Sequence, residues 1–155
     1  MAYTIRGLSA EPFRALFAMG EDALAAVGAV AVTADASGGF PCRVSLRDAE
    51  SGERLILVNH VSNTSATPFR ASHAIYVREA AEQAAAFEDE VPDCLDRRIL
   101  SLRGFDSAGM LRSARLSAAG EAEPGIAALL ADPGIAVIHA HSAAAGCFLA
   151  RIERN

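Results

Sequence analysis

The sequence predicts an α+β fold with a largely antiparallel sheet built from hairpins, together with three or four short helices. Short runs of alternating apolar and polar residues recur along the chain, separated by glycine-containing turns, and this pattern is typical of hairpins. Between these runs lie a few short stretches with helical spacing. A chain of 155 residues has the length of one ordinary domain, so we expect a single domain over residues 1–155.

The N-terminal part is predicted to alternate strands with short helices. Alternation predicts a strand over residues 3–8. A helix should then begin at Glu11, because Pro12 is suited to a first helical turn. Helical spacing over 21–27 predicts a second short helix, and the apolar run 29–33 predicts the next strand.

The middle of the chain is predicted to start with a hairpin, in which a strand over 43–46 pairs with a strand over 54–61. Another strand is expected over 74–78, with its apolar residues facing the core. The alanine-rich stretch 80–87 is a helix candidate. We expect Cys94 to lie in a surface turn that follows.

Two more hairpins follow in the C-terminal part. The first joins strands over 97–106 and 110–116 through a glycine turn. A helix should then begin at Glu123. The last hairpin pairs residues 137–141 with 147–153 across a five-residue link of small residues.

This C-terminal hairpin is predicted to have one reactive face and one apolar face. If His141 pairs with Cys147, side-chain alternation sorts both strands consistently. The reactive face then carries His139, His141, Cys147, Leu149 and Arg151. The apolar face then carries Ile138, Ala140, Phe148, Ala150 and Ile152. A shift of one residue would bury Arg151 without a partner, at a cost of several kcal/mol.

A cysteine beside histidines suggests a nucleophile. Thiolate is the reactive form of cysteine, and an adjacent imidazolium lowers the pKa of a thiol from about 8.5. We therefore predict Cys147, His141 and His139 as candidate catalytic residues. The alternative is that Cys147 fills space in the core, as free cysteines commonly do.

The same two histidines suggest a metal site. His139 and His141 point to one side of their strand, so their imidazoles could chelate an ion such as zinc. Such a site needs a third and a fourth ligand, and the sequence contains neither Cys-x-x-Cys nor His-Glu-x-x-His. We therefore assign no metal ligands, and no motif identifies a cofactor.

Arginines near strand ends suggest a site for a small anionic ligand, because a guanidinium binds carboxylate or phosphate with two parallel hydrogen bonds. The alternative for each arginine is an ordinary surface ion pair with one of the many glutamates. The candidate ligand-binding residues are Arg43, Cys42, His73, Arg78 and Arg151. Arg70 belongs to the same group of arginines.

Composition limits the partners. The formal charge is −5, and all fourteen positive side chains are arginines without a basic cluster, which argues against nucleic acid. No apolar run reaches the 18 or so residues of a membrane span, and the first residues lack a leader pattern. Three cysteines, an odd number, suit reduced thiols in a cytosol. We expect a cytoplasmic protein that binds no nucleic acid and no membrane.

Several segments together resemble a known family. They are Gly39-Phe-Pro-Cys-Arg-Val-Ser-Leu46, residues 68–79, residues 103–110, His139-x-His141 and Gly146-Cys147. This pattern, which covers nearly the whole chain, is similar to the bacterial family filed as domain of unknown function 1203. The resemblance supports the domain boundaries and implies no activity, substrate or cofactor. The function is thus unknown, with a Cys/His enzyme, an anion binder and a metal-binding protein as the hypotheses.

Overall fold

The computed structural model describes residues 2–155. The strands are β1 (Tyr3–Arg6), β2 (Val30–Thr33), β3 (Arg54–Asn63), β4 (Ala71–Arg78), β5 (Ala86–Glu88), β6 (Leu100–Phe105), β7 (Leu111–Ser117), β8 (Val137–Ser142) and β9 (Phe148–Arg154). The helices are a 3₁₀ helix (Glu11–Ala18), α1 (Glu21–Ala26), α2 (Asp93–Asp96) and α3 (Ala122–Leu130). Within this described part, no helix is both long and apolar enough to cross a membrane.

The strands form two antiparallel sheets. The larger sheet has the order β5-β1-β9-β8-β6-β7, and the smaller one has the order β2-β3-β4. Hairpins supply the pairs β3–β4, β6–β7 and β8–β9, and strand β1 lies beside β9. The predicted α+β class with a largely antiparallel sheet is confirmed.

The main hydrophobic core lies between the larger sheet and α3. Ile126 and Leu129 of the helix pack there with Leu102, Ile138 and Ile152 of the central strands. Because successive side chains of a strand point to opposite faces, the alternate residues of β6 and β8 face away from α3. That second face of the larger sheet is turned toward the smaller sheet, as ring contacts between the sheets show.

The predicted strand over 43–46 is wrong. These residues form a tight turn, closed by a hydrogen bond of 3.0 Å from the Leu46 N–H to the Cys42 carbonyl. Strand β3 pairs with β2 and β4 instead. A run of only four residues carries too little periodicity to separate a strand from a turn.

Two further predictions in the middle of the chain are wrong. The alanine-rich stretch 80–87 forms no helix; its end pairs with β1 as the edge strand β5, with Phe87 packed against the main core. Tertiary pairing here overrides the high helix propensity of an alanine-rich segment. Cys94 lies in α2 and is 3% exposed, so it belongs to the core rather than to a surface turn. A free thiol packs as a small apolar side chain.

Candidate functional site

The C-terminal hairpin does not pair in the predicted register, and the difference extends along both strands. His141 lies opposite Phe148 and not opposite Cys147, because β9 contains a bulge at Leu149. The extra residue lets Leu149 join the main core while Phe148 packs against His141. Next to the turn, the Ser142 N–H donates to the Cys147 carbonyl at 2.9 Å. The predicted His141–Cys147 pair and the faces assigned to Phe148 and Leu149 are therefore wrong.

The four histidines of the sequence meet where the two sheets face each other. On the smaller sheet, His60 and His73 lie opposite one another on β3 and β4. The His73 and His141 rings are 4.9 Å apart, and the His139 and His141 rings are 6.3 Å apart. The ring of His60 lies 5.9 Å from that of Phe148. The histidine face of the hairpin is thus an interface between sheets.

Burial keeps the central histidines neutral. His139 is 4% exposed and His141 is 2% exposed. Burial, followed by the charges of Arg151 and Arg103, lowers the pKa of His139 to about 4. Burial lowers the pKa of His141 to about 3, although a hydrogen bond to Gly146 acts in the opposite direction. Both imidazoles are therefore uncharged at neutral pH.

A backbone contact fixes the tautomer of His141. Its Nδ1 atom lies 2.9 Å from the Gly146 carbonyl oxygen. A carbonyl oxygen only accepts hydrogen bonds, so the proton of the neutral ring must be on Nδ1. The Nε2 atom is then left with a free lone pair. His141 consequently offers a hydrogen-bond acceptor, and not a positive charge, to whatever lies beside it.

A cavity of about 310 Å³ opens beside the histidines. It is lined by Ser62, Asn63, Pro68, Phe69, Arg70, Ala71, Arg103, Phe105, Leu111, His139 and His141. The lining combines two arginines with five aromatic or apolar residues besides the histidines, and it contains no aspartate or glutamate. We call this space the arginine lobe. Two arginines without an acidic neighbour in the lining give the lobe a positive charge inside an acidic protein.

Size does not distinguish this cavity from others. A larger one of about 470 Å³ lies near the 3₁₀ helix and is lined by Arg14, Glu79, Glu82 and apolar residues. None of the residues singled out by the sequence lines it. The arginine lobe is preferred because polar groups that need partners converge on it together with aromatic side chains.

The predicted ligand-binding residue Arg43 is engaged inside the protein. It is 3% exposed, and its Nε donates to the Phe148 carbonyl at 2.7 Å. Its Nη1 donates to the Pro41 carbonyl. Burial lowers the pKa of Arg43 to about 10, which still leaves it charged at neutral pH. The guanidinium therefore holds the turn over 41–46 against β9 through hydrogen bonds.

The other two predicted arginines have acidic partners. Arg78 donates from Nε and Nη2 to both oxygens of Glu53, at distances between 2.5 and 3.1 Å. Arg151 pairs with Glu153 at 2.6 Å, so it balances a neighbouring carboxylate. His73, by contrast, belongs to the histidine cluster, and its Nδ1 lies 3.2 Å from the Ser62 hydroxyl.

The three cysteines differ in exposure. Cys42 is 1% exposed, and its sulfur accepts the backbone N–H of Arg78 at 3.3 Å. Cys94 is buried, which raises the pKa of its thiol to about 12. Cys147 is partly exposed and lies close enough to Arg43 for a thiolate there to raise the arginine pKa. The nucleophile hypothesis for Cys147 stays a prediction.

Thiol labelling tests that hypothesis. We expect iodoacetamide to label Cys147 in the folded protein and to reach Cys42 and Cys94 only after unfolding, because both are buried. Since His141 is neutral, it supplies no imidazolium to Cys147, so His141→Ala should not slow the labelling of Cys147 at pH 7.5. Much slower labelling in this variant would support the catalytic pair of Cys147 and His141.

The metal hypothesis gains no ligands from the fold. Residues 2–155 contain no group of three or more His, Cys, Asp or Glu side chains placed to hold a metal ion. The pair His139 and His141 therefore lacks the third and fourth ligands that such a site needs.

Sequence reasoning missed Arg103, Phe105 and Phe69. Arg103 lies opposite His139 on β6, and its Nε donates to the Ser101 hydroxyl at 3.2 Å. The Phe105 ring lies 5.1 Å from that of His139 and 6.4 Å from that of Phe69. The signal was present in the alternation of β6, which puts Ser101, Arg103 and Phe105 on one face. What was missing was the strand order that makes β6 the neighbour of β8.

Comparison with known proteins gives a family without an assigned activity. The family model described as "Protein of unknown function (DUF1203)" matches residues 39–154, which include every residue that lines the arginine lobe. Searches of curated proteins and of solved structures find no match. This match covers about three quarters of the chain and therefore shows the family. The chain belongs to the DUF1203 family of proteins of unknown function.

Proposed function

We propose that this protein binds a small anionic molecule in the arginine lobe, with a carboxylate or phosphate held by Arg103 and Arg70. The observation that carries this proposal is a pair of arginines in a lining without acidic residues. Within residues 2–155, neither arginine forms an ion pair. A guanidinium without a carboxylate partner is suited to bind a carboxylate or phosphate.

The remaining lining supports an aromatic or otherwise flat ligand. Phe69 and Phe105 offer ring surfaces beside the arginines, and Leu111 adds an aliphatic contact. Burial of flat apolar surface supplies affinity, while the few polar groups fix orientation. The Nε2 lone pair of His141 adds an acceptor for a ligand hydroxyl or amide N–H.

A Cys/His enzyme remains the alternative function. It is supported less well, because Cys147 lines neither the arginine lobe nor the adjoining cavity that shares His139 with it. A nucleophile must reach the bound substrate. We also propose a cytoplasmic location, because three free thiols suit a reducing compartment.

Removal of the Arg103 charge tests the binding function. We expect benzoate and phenyl phosphate to bind wild-type protein in calorimetric titration, and Arg103→Gln to weaken both by roughly 10- to 100-fold. A hydrogen bond to a charged group contributes about 1.5–3 kcal/mol, which corresponds to that change in Kd.

Arg115→Gln is the matched control. Arg115 is an exposed arginine of the neighbouring strand β7, and it lies opposite Leu102 rather than in the lobe. The control should bind both anions as the wild type does. Equal affinities of the two variants, or no binding by wild-type protein, would contradict the proposed function.

A further inference from the structure

A second cavity of about 230 Å³ adjoins the arginine lobe. The two cavities share the lining residues Ser62, Asn63, Phe105 and His139. The rest of its lining consists of the hydroxyl residues Thr64, Ser65 and Ser107, the small or apolar residues Gly109, Ala136 and Val137, and the charged residues Asp106, Arg151 and Glu153. We call it the acidic lobe. Because they share these lining residues, the two lobes are neighbouring parts of one cleft.

The two lobes have opposite charge. The acidic lobe has two carboxylates against one guanidinium, whereas the arginine lobe has two guanidinium groups and no carboxylate. Arg151 pairs with one oxygen of Glu153 and holds the pKa of that carboxyl below its usual range, so Glu153 stays ionised at neutral pH. Asp106 accepts two backbone N–H groups on Oδ1, and its Oδ2 receives no hydrogen bond from residues 2–155.

His139 lies between the lobes and lacks partners. It is 4% exposed, lines both cavities and makes no hydrogen bond with residues 2–155. Buried polar groups are normally hydrogen-bonded, and a neutral imidazole has one donor and one acceptor to satisfy. In the described chain, only the Tyr3 hydroxyl is sealed from solvent without a partner, so the His139 nitrogens open into the cleft. A ligand in the cleft would supply the missing partners.

We propose that the two lobes form one site for a small zwitterion. Its carboxylate or phosphate binds Arg103 and Arg70, its primary ammonium group binds Glu153 and Asp106, and His139 hydrogen-bonds to the ligand between these ends. This inference rests on the proposed function, since it keeps the same anion site and adds the class of the whole ligand. Opposite charges at the two ends favour one orientation of the ligand and favour a zwitterion over a simple anion or a simple amine.

Two matched probes separate this inference from simple anion binding. 4-(Aminomethyl)benzoate and 4-methylbenzoate share a carboxylate on a flat ring and differ in the ammonium group. In calorimetric titration of the full chain at pH 7.5, we expect the amino compound to bind at least roughly tenfold more tightly. Equal affinities would overturn the zwitterion inference and leave the anion function standing. Failure of both probes to bind would overturn both proposals.

A pair of variants assigns the preference to the acidic lobe. We expect Glu153→Gln to reduce the affinity ratio of the two probes severalfold, because the ammonium group loses one of its two carboxylate partners. Glu88→Gln removes an exposed glutamate of the edge strand β5, outside both lobes, and should keep the wild-type ratio. An unchanged ratio in Glu153→Gln would overturn the assignment of the ammonium group to this lobe.

Discussion

Between pH 7.5 and pH 5, the free energy of unfolding is expected to fall by about 4 kcal/mol through His139 and His141 together. The folded-state pKa values are about 4 for His139 and about 3 for His141, and both lie below the unfolded value of about 6.5. The unfolded chain therefore binds protons first. The stabilisation is complete above pH 6.5 and is lost as the pH falls toward the folded-state pKa values. Each histidine contributes about 2 kcal/mol of this loss by pH 5.

Urea denaturation at several pH values between 7.5 and 5 measures this loss directly. His139→Leu removes one titrating group and an unpartnered buried imidazole, so the variant should lose about 2 kcal/mol less than the wild type over this range. His73→Asn serves as the comparison, because His73 is less buried and its pKa is lowered by burial and by nearby arginines. His73→Asn should therefore change the pH dependence of the free energy of unfolding less than His139→Leu does. A wild-type stability that stays flat down to pH 5 would contradict the lowered pKa values of the two histidines.

Arg43→Ala is expected to destabilise the protein by at least about 3 kcal/mol. The substitution removes a 3% exposed side chain, leaves a cavity and strips the Phe148 and Pro41 carbonyls of a charged donor. Hydrogen bonds to a charged group contribute about 1.5–3 kcal/mol each. The turn over 41–46 would then lose the hydrogen bond that holds it against β9. The urea concentration at the midpoint of unfolding should fall accordingly.

Arg47→Ala is the matched control in the same segment. Arg47 is exposed and lines neither lobe, so its removal should change the stability by less than about 0.5 kcal/mol. Similar midpoints for the two variants would mean that Arg43 is a surface side chain in solution. Arg43 would then return to the ligand-binding residues that the sequence predicted.

Local patterns were enough to predict much of this fold. Alternation along β8 gives His139 and His141 a common face and Ile138 the opposite one, and both assignments agree with the contacts observed. The glycine turn that closes the β6–β7 hairpin could also be predicted from the sequence, because residue preferences in tight turns are local. Two strands that pair within a hairpin are near neighbours in the chain, so short stretches of sequence are enough to predict their pairing.

Errors arose where nonlocal packing decided the outcome. The bulge at Leu149 turns two successive side chains, Phe148 and Leu149, toward different partners, and nothing in their immediate sequence requires it. The sequence assigned Arg43 to a ligand. Its guanidinium instead donates to the carbonyl of Phe148, far away in the sequence, and to the carbonyl of nearby Pro41. The residues next to a long side chain such as arginine do not indicate which partner it will bind.

By itself, the sequence determined the α+β class, the C-terminal hairpin and the common face of His139 and His141, because these follow from the period of side chains along a strand. Only the tertiary structure decided what lies opposite that face. The packing of the two sheets brings His60 and His73 against it, and the strand order of the larger sheet sets Arg103 beside His139. Strand order depends on which surfaces bury best against each other across the whole chain, and no local period encodes it.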